Sequence, residues 1–282
     1  MMPYLIHRYG LYASRDYPTG LHVAFFGRSV IELLPKTYEY RRINLETIMR
    51  NIIILGAHGG IGEALVKACL TRYSDCQIYG SFYRGAPSYE HKRLHWVPFN
   101  ALDESAYLNL ASQIEDVDWI INTIGILSSQ TQGPEKSLSQ FGAEFFNTNI
   151  QLNTVPTLFL AKHFTEHMQN SDSPKLVTLS ARVGSISDNR LGGWYSYRCS
   201  KAALNMAIKT ISVEWGRALP QGCILALHPG TVDTALSQKF LHSQKTIFTP
   251  QQAANQLLDV IESKDARQSG RFYAYNGSTI PW

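Results

Sequence analysis

From residue 49 onward, apolar and polar positions follow two distinct rhythms. Short apolar runs bounded by turn residues predict strands at 51–55, 77–82, 94–98, 118–122, 175–180, 223–228 and 271–275. Between them, helical spacing predicts helices near 61–73, 104–114, 139–169, 195–218 and 250–263. Strands separated by helices imply right-handed crossovers and a parallel sheet covered on both faces. The expected fold class is α/β, a doubly wound parallel sheet in a single domain over 49–282.

The first 48 residues lack either rhythm, and Tyr17-Pro18-Thr19-Gly20 and Leu34-Pro35-Lys36 interrupt any element that starts there. An irregular N-terminal extension is therefore expected over 1–48, disordered or lying upstream of the true start. A real extra subdomain is the alternative. Scattered arginines (Arg8, Arg15, Arg28, Arg41, Arg42) suit an organellar presequence, while Asp16, Glu32, Glu39 and Glu46 oppose one. The ordered regions of a signal peptide are not seen.

Composition narrows the class of protein. The 282 residues are 44% apolar and 17% charged, which argues against a mostly disordered chain. Apolar runs fall far short of the ~18 residues of a membrane helix. A net charge of +4 without a polybasic run gives little ground for nucleic-acid binding. Cys69, Cys76, Cys199 and Cys223 form no CxxC pair and no cluster with histidine, so a reducing, cytoplasmic setting fits. His58, His163, His167, His228 and His242 mark no metal site. His163 and His167 are one helical turn apart but lack a third ligand.

Candidate chemistry begins with Gly56-Ala57-His58-Gly59-Gly60-Ile61-Gly62, which follows the first strand of this region and opens a helix. Gly56 allows the tight exit from the strand, Gly60 lets backbone approach a pyrophosphate, and Gly62 lets the helix pack on the sheet. The helix N-terminus then faces the anion. A purely structural glycine loop is the bland alternative. The second strand ends Gly80-Ser81-Phe82-Tyr83-Arg84 without an acid to hold a ribose 2′-hydroxyl. Arg84, helped by Ser81, is thus a candidate for a 2′-phosphate, which favours NADP(H) over NAD(H). A solvated loop arginine is the other reading. Asn100 and Ala101, after the third strand, are candidates for the adenine edge.

Tyr197 and Lys201 lie four apart on one helix face. A nearby ammonium favours phenolate, and such a tyrosine can exchange a proton with a carbonyl oxygen. Alone the pair is weak, since any helix surface can carry it. Its setting is more specific. Asn122-Thr123-Ile124-Gly125 closes the fourth strand, Asn149 lies in the long helical region, and Leu179-Ser180-Ala181 closes the fifth strand. Pro229-Gly230-Thr231-Val232-Asp233-Thr234 follows the sixth. Each sits at a strand's carboxyl end or on an adjoining helix, where open α/β sheets bind ligands.

This ordered set resembles the short-chain dehydrogenase/reductase family over residues 49–282, and within it the C-factor-like and sniffer-type carbonyl reductases. The resemblance implies a Rossmann-type sheet and an enzyme that reduces a small carbonyl compound with a nicotinamide cofactor, assembled as a homodimer or homotetramer. It implies that Tyr197 is the general acid and that Lys201 lowers its pKa and binds the nicotinamide ribose. Asn149 would hold a relay water, and Asn122, with Gly125, would brace the central strand and the cofactor. Thr234 and the backbone near Val232, with Pro229 and Gly230, would fix the carboxamide. Asn149 as a helix-kink or capping residue and Thr234 as a simple cap stay open. The family's serine stands three residues before the glycine after the strand, which here is Ala181 before Gly184. Ser180 is the preferred substitute, with Ser185, or no serine, as alternatives.

Trp194 and Tyr195 either border the cleft or pack. Residues 235–248 read as a short amphipathic lid with Leu236 and Phe240 facing the nicotinamide, or as an ordinary surface helix. Thr249, Pro250 and Gln252 read as the capped start of the next helix. A nucleotide-binding scaffold or signalling protein without turnover is the competing function, since fold does not dictate activity.

Overall fold

The computed structural model describes residues 11–12, 22–26, 29–33, 40–43, 49–85, 87–129, 131–238 and 246–282. The chain divides into two compact units, Met1–Ile48 and Met49–Trp282. In the first, β1 (Leu11–Tyr12), β2 (His22–Phe26), β3 (Ser29–Leu33) and β4 (Tyr40–Ile43) pair in chain order as an antiparallel sheet. These strands occupy the stretch where an irregular extension, or alternatively an extra subdomain, is expected.

The second unit runs β5 (Asn51–Leu55), α1 (Gly60–Arg72), β6 (Gln77–Phe82), β7 (Leu94–Pro98), α2 (Glu104–Ala111) and β8 (Trp119–Asn122). It continues through α3 (Ala143–Asn153), α4 (Val155–Phe164), β9 (Lys175–Leu179), α5 (Tyr195–Ala218), β10 (Cys223–His228), α6 (Pro250–Glu262) and β11 (Arg271–Ala274). Its seven strands form one parallel sheet in the order β11-β10-β9-β8-β5-β6-β7. The chain winds outward from β5 through β6 and β7, then returns to β8 on the other side of β5. The switch point therefore lies between β5 and β8, whose ends are in register at Leu55 and Asn122.

Alternation along each strand divides the core. Ile52, Ile54, Val177 and Leu225 face Leu65 and Cys69 of α1 and Leu257 and Leu258 of α6. Ile53, Leu55, Leu176 and Ile224 face the opposite layer, with Tyr107 of α2, Phe164 of α4, and Leu204 and Trp215 of α5. Both faces are buried, so the strands read as continuous apolar runs.

The long helical pattern expected over 139–169 is two helices. Pro156 lacks the N–H that a continuous helix would need, and it stands in the first turn of α4. The break at Thr154 is held by its hydroxyl donating to the Ser200 carbonyl at 2.8 Å.

Candidate active site

The glycine turn is shaped by crowding. Gly56 leaves β5 at φ 73°, and a Cβ there would stand 2.6 Å from Thr123 Oγ1. A Cβ at Gly62 would meet the Gly56 carbonyl oxygen at 2.1 Å, and one at Gly60 would meet Thr234 Cγ2 at 2.8 Å. Gly60 and Thr234, far apart in sequence, thus touch. The N-cap residue Gly59 supplies no side-chain hydrogen bond to α1, and Ile61 packs on the core. A helix start with exposed N–H groups and no Cβ in the way fits a dinucleotide pyrophosphate.

The second-strand exit is only partly as expected. Arg84 is exposed, its guanidinium carbon 5.3 Å from the Tyr83 ring centroid, and its carbonyl oxygen lies 3.3 Å from His58 Nδ1. Ser81, expected beside it as a phosphate contact, is 3% exposed and accepts from the Gly56 N–H at 2.8 Å. It braces the turn. Asn100 accepts from Leu102 N–H at 3.1 Å, and the buried Ala101 gives its carbonyl to the Tyr107 hydroxyl at 2.9 Å. A surface cavity of about 550 Å³, lined by Tyr83, Phe99 and Asn100 among others, opens there and includes neither Tyr197 nor Lys201.

Tyr197 and Lys201 share a buried face of α5. Lys201 Nζ lies 5.9 Å from the Tyr197 ring centroid and donates to the Leu179 carbonyl at 2.8 Å. Burial pushes the Lys201 ammonium down to about 7 and pushes the Tyr197 phenol up. Gly125 ends the Asn122–Gly125 segment where a Cβ would stand 2.9 Å from Asn153 Oδ1 and 3.3 Å from Lys201 Nζ. Asn122 donates to Thr157 Oγ1 at 3.2 Å and accepts from Ile124 N–H at 3.0 Å, bracing β8 against α4.

Two of the expected site residues have their side chains engaged with other parts of the chain. Asn149 donates to the Phe145 carbonyl at 3.0 Å, inside its own helix. It is Asn153, one turn on, that reaches the corner formed by Gly125 and Lys201. It accepts from Ile126 N–H at 2.8 Å and donates to the Ile126 carbonyl at 3.0 Å and to Ser200 Oγ at 2.9 Å. The two asparagines share one helix face, and Asn153 Nδ2 also donates to Asn149 Oδ1 at 3.2 Å. The other is Ser180, whose only hydroxyl hydrogen goes to Asn205 Oδ1 at 2.7 Å, while Asn205 donates to the Gly184 carbonyl at 3.1 Å. Ser185 is buried and accepts from Asp188 N–H at 3.1 Å.

Around the cleft, Trp194 has φ 54°, a left-handed backbone, and its indole stands edge-on to Tyr197 with ring centroids 6.3 Å apart. Gly230 turns at φ 78°, and the segment after it is closed at its base by a parallel bridge between Val232 and Phe248. Residues 235–238 form a turn in which Ser237 and Gln238 donate to the Thr234 carbonyl at 3.1 and 2.9 Å. Leu236 is exposed, and Phe240, with the rest of 239–245, lies outside the described residues. The capping box at Thr249 and Gln252 is present on α6. His163 sits 2.9 Å from Glu104 Oε1, and His167 Nδ1 lies 2.9 Å from the Ile114 carbonyl oxygen. Among the described residues, no helix is long and apolar enough to cross a membrane.

Comparison with known proteins agrees with this fold. The sequence profile of the family described as short chain dehydrogenase matches residues 50–245. The C-signal protein of Myxococcus xanthus is 36% identical over 167 residues, covering 59% of this chain and 93% of that protein. A 1-hydroxy-2-glutathionyl-2-methyl-3-butene dehydrogenase of Rhodococcus sp. (strain AD45) is 26% identical over 83% of this chain and 100% of its own length. The fold is similar to that of the carbonyl reductase Sniffer of D. melanogaster, with TM-score 0.72, 24% identity, and coverage of 83% of this chain and 100% of that one. It is also similar to an NADPH-bound carbonyl reductase from chicken fatty liver, with TM-score 0.71, 23% identity, and coverage of 83% and 99%. The chain therefore belongs to the short-chain dehydrogenase/reductase family and is an NAD(P)-dependent oxidoreductase.

Proposed function

We propose that the protein reduces a small carbonyl compound with NADPH, and oxidises the alcohol in reverse. The observation that carries this reading is the buried Tyr197–Lys201 pair at the carboxyl end of β9, in the same sheet end as the glycine turn and Thr234. The turn at Gly56–Gly62 would hold the pyrophosphate, Arg84 the 2′-phosphate, and the Pro229–Thr234 segment the carboxamide side. Asn100 and His58 flank the adenosine end. The reduced nicotinamide, when bound, supplies a hydride to the carbonyl carbon.

Tyr197 donates its hydroxyl proton to the carbonyl oxygen as that oxygen gains charge, leaving a phenolate. The Lys201 ammonium steadies the phenolate, and Asn153 orders the corner at Gly125 beside it. No serine is assigned to the carbonyl oxygen: Ala181 stands at the expected position and Ser180 is engaged with Asn205. The protein's compartment is proposed to be cytoplasmic, and its assembly a homodimer or homotetramer.

The test is NADPH oxidation against a panel of aldehydes, ketones and quinones, with Tyr197→Phe as control. The variant should lose turnover at least a hundredfold while its NADPH Kd stays within about twofold. Tight NADPH binding without turnover of any panel member would favour a non-catalytic nucleotide binder, for which Ala181 is the supporting feature.

A further inference from the structure

Helix α5 carries Tyr197 and Lys201, yet it has no local side-chain cap. The residue before it, Trp194, adopts φ 54° and ψ 41° and gives the first turn no side-chain hydrogen bond. Gly192 and Gly193, at φ 63° and 65°, make this the third left-handed residue in succession. Glycine adopts that conformation freely, but a tryptophan held in it needs support from its surroundings.

The support comes from two directions. Glu135, 61 residues before Ser196, is 1% exposed. Its backbone carbonyl accepts the Trp194 N–H at 2.5 Å. Its carboxylate accepts the Ser196 N–H at 3.2 and 3.4 Å, and also the Ser196 hydroxyl. A carboxylate at a helix N-terminus meets the positive end of the helix dipole. From the other side, Arg198 Nε donates to the carbonyls of Gly192 and Gly193 at 3.2 and 3.0 Å, and its Nη1 donates to Val183 at 3.3 Å. Ser196 immediately precedes Tyr197, so both clamps act within one turn of the phenol.

We propose that Glu135 is a positioning residue for Tyr197: from the segment after β8 it caps α5 in place of a local residue, and with Arg198 it holds the left-handed turn that sets Trp194 against the phenol. The inference rests on the reductase reading for its catalytic consequence, but not for the cap itself. Glu135 is fully engaged with α5 and is not assigned any contact with substrate.

The test uses the full chain carrying Glu135→Ala, Glu135→Gln or Ser196→Ala, with NADPH and 4-nitrobenzaldehyde as the probe substrate. Glu135→Ala should lower kcat about tenfold or more with KM and NADPH Kd within about twofold, and should speed amide exchange at 194–199 by a similar factor. Glu135→Gln keeps an oxygen acceptor for the Ser196 N–H and should restore kcat to within about threefold. Unchanged kcat and exchange in Glu135→Ala would overturn the proposal, as would Glu135→Gln being as slow as Glu135→Ala. Should Glu135→Ala not fold, Ser196→Ala removes the hydroxyl donor alone. A several-fold lower kcat with faster exchange then supports the cap, and wild-type behaviour overturns it. A wild-type protein that turns over nothing defeats the reductase reading, while exchange at 194–199 in the variants still decides the cap.

Discussion

Lys201 reaches across from α5 to donate to the carbonyl oxygen of Leu179, the last residue of β9, at 2.8 Å. The contact anchors the ammonium at the sheet end, near the Tyr197 ring and Gly125. Burial holds its pKa down to about 7. Below that pH the side chain is an ammonium that steadies the phenolate left when Tyr197 gives up its proton, and above it the side chain is a neutral amine that cannot. The rate of carbonyl reduction should therefore be level below pH ~7 and fall above it. Lys201→Arg, charged throughout, should move the fall to higher pH. A wild-type kcat level from pH 5.5 to 9 would contradict this assignment.

Arg84 is expected to set cofactor preference. It is an exposed arginine beside Tyr83, and its carbonyl oxygen lies near His58 of the glycine turn. Charge-assisted contacts to phosphate contribute roughly 1.5–3 kcal/mol. Arg84→Ala should weaken NADPH binding about tenfold or more and leave NADH little changed, as read by fluorescence titration. Equal losses for both cofactors would remove the 2′-phosphate role.

Ser180→Ala should behave as a stability variant. The substitution leaves the buried Asn205 Oδ1 without its hydroxyl donor, a loss of about 1–2 kcal/mol in urea unfolding. Turnover should stay within about threefold. A hundredfold loss of kcat in a folded variant would return Ser180 to the carbonyl oxygen.

The two asparagines of α3 should separate by kinetics. Asn153→Ala removes three groups' worth of contacts at the Gly125–Lys201 corner, to Ile126, Asn149 and Ser200. It is expected to lower kcat about tenfold or more. Asn149→Ala, which removes a donor to the Phe145 carbonyl and one acceptor of Asn153, should cost less than about threefold. Matching losses in the two variants would put the distinction in doubt.

Deletion of residues 1–48 should leave a folded protein with NADPH binding and turnover within about twofold of the full chain. Met49–Trp282 is a compact unit containing the complete seven-stranded sheet and every residue assigned to the site. Failure of the shortened chain to bind NADPH, measured alongside the full chain, would show that the first unit supports the second.

The α/β alternation, all seven strands of the parallel sheet and the places of Tyr197 and Lys201 are determined by the sequence alone. Each depends on local signals: buried runs such as Asn51–Leu55, a glycine turn between strand and helix, or two side chains one helical turn apart. Residues whose roles depend on distant partners are different. Asn149 and Asn153 share a helix face, and only the break at Thr154 and the approach of Ile126 distinguish them. Ser180 and Ala181 adjoin at a strand end, and only Asn205, on another helix, shows where the Ser180 hydroxyl is engaged. Glu135 carries no local signal at all, because the helix it caps begins 60 residues later in the chain. Hydrogen-bond partners of this kind are chosen by how helices and loops converge at the sheet end, which is set by the packing of the whole unit and not by any window of sequence.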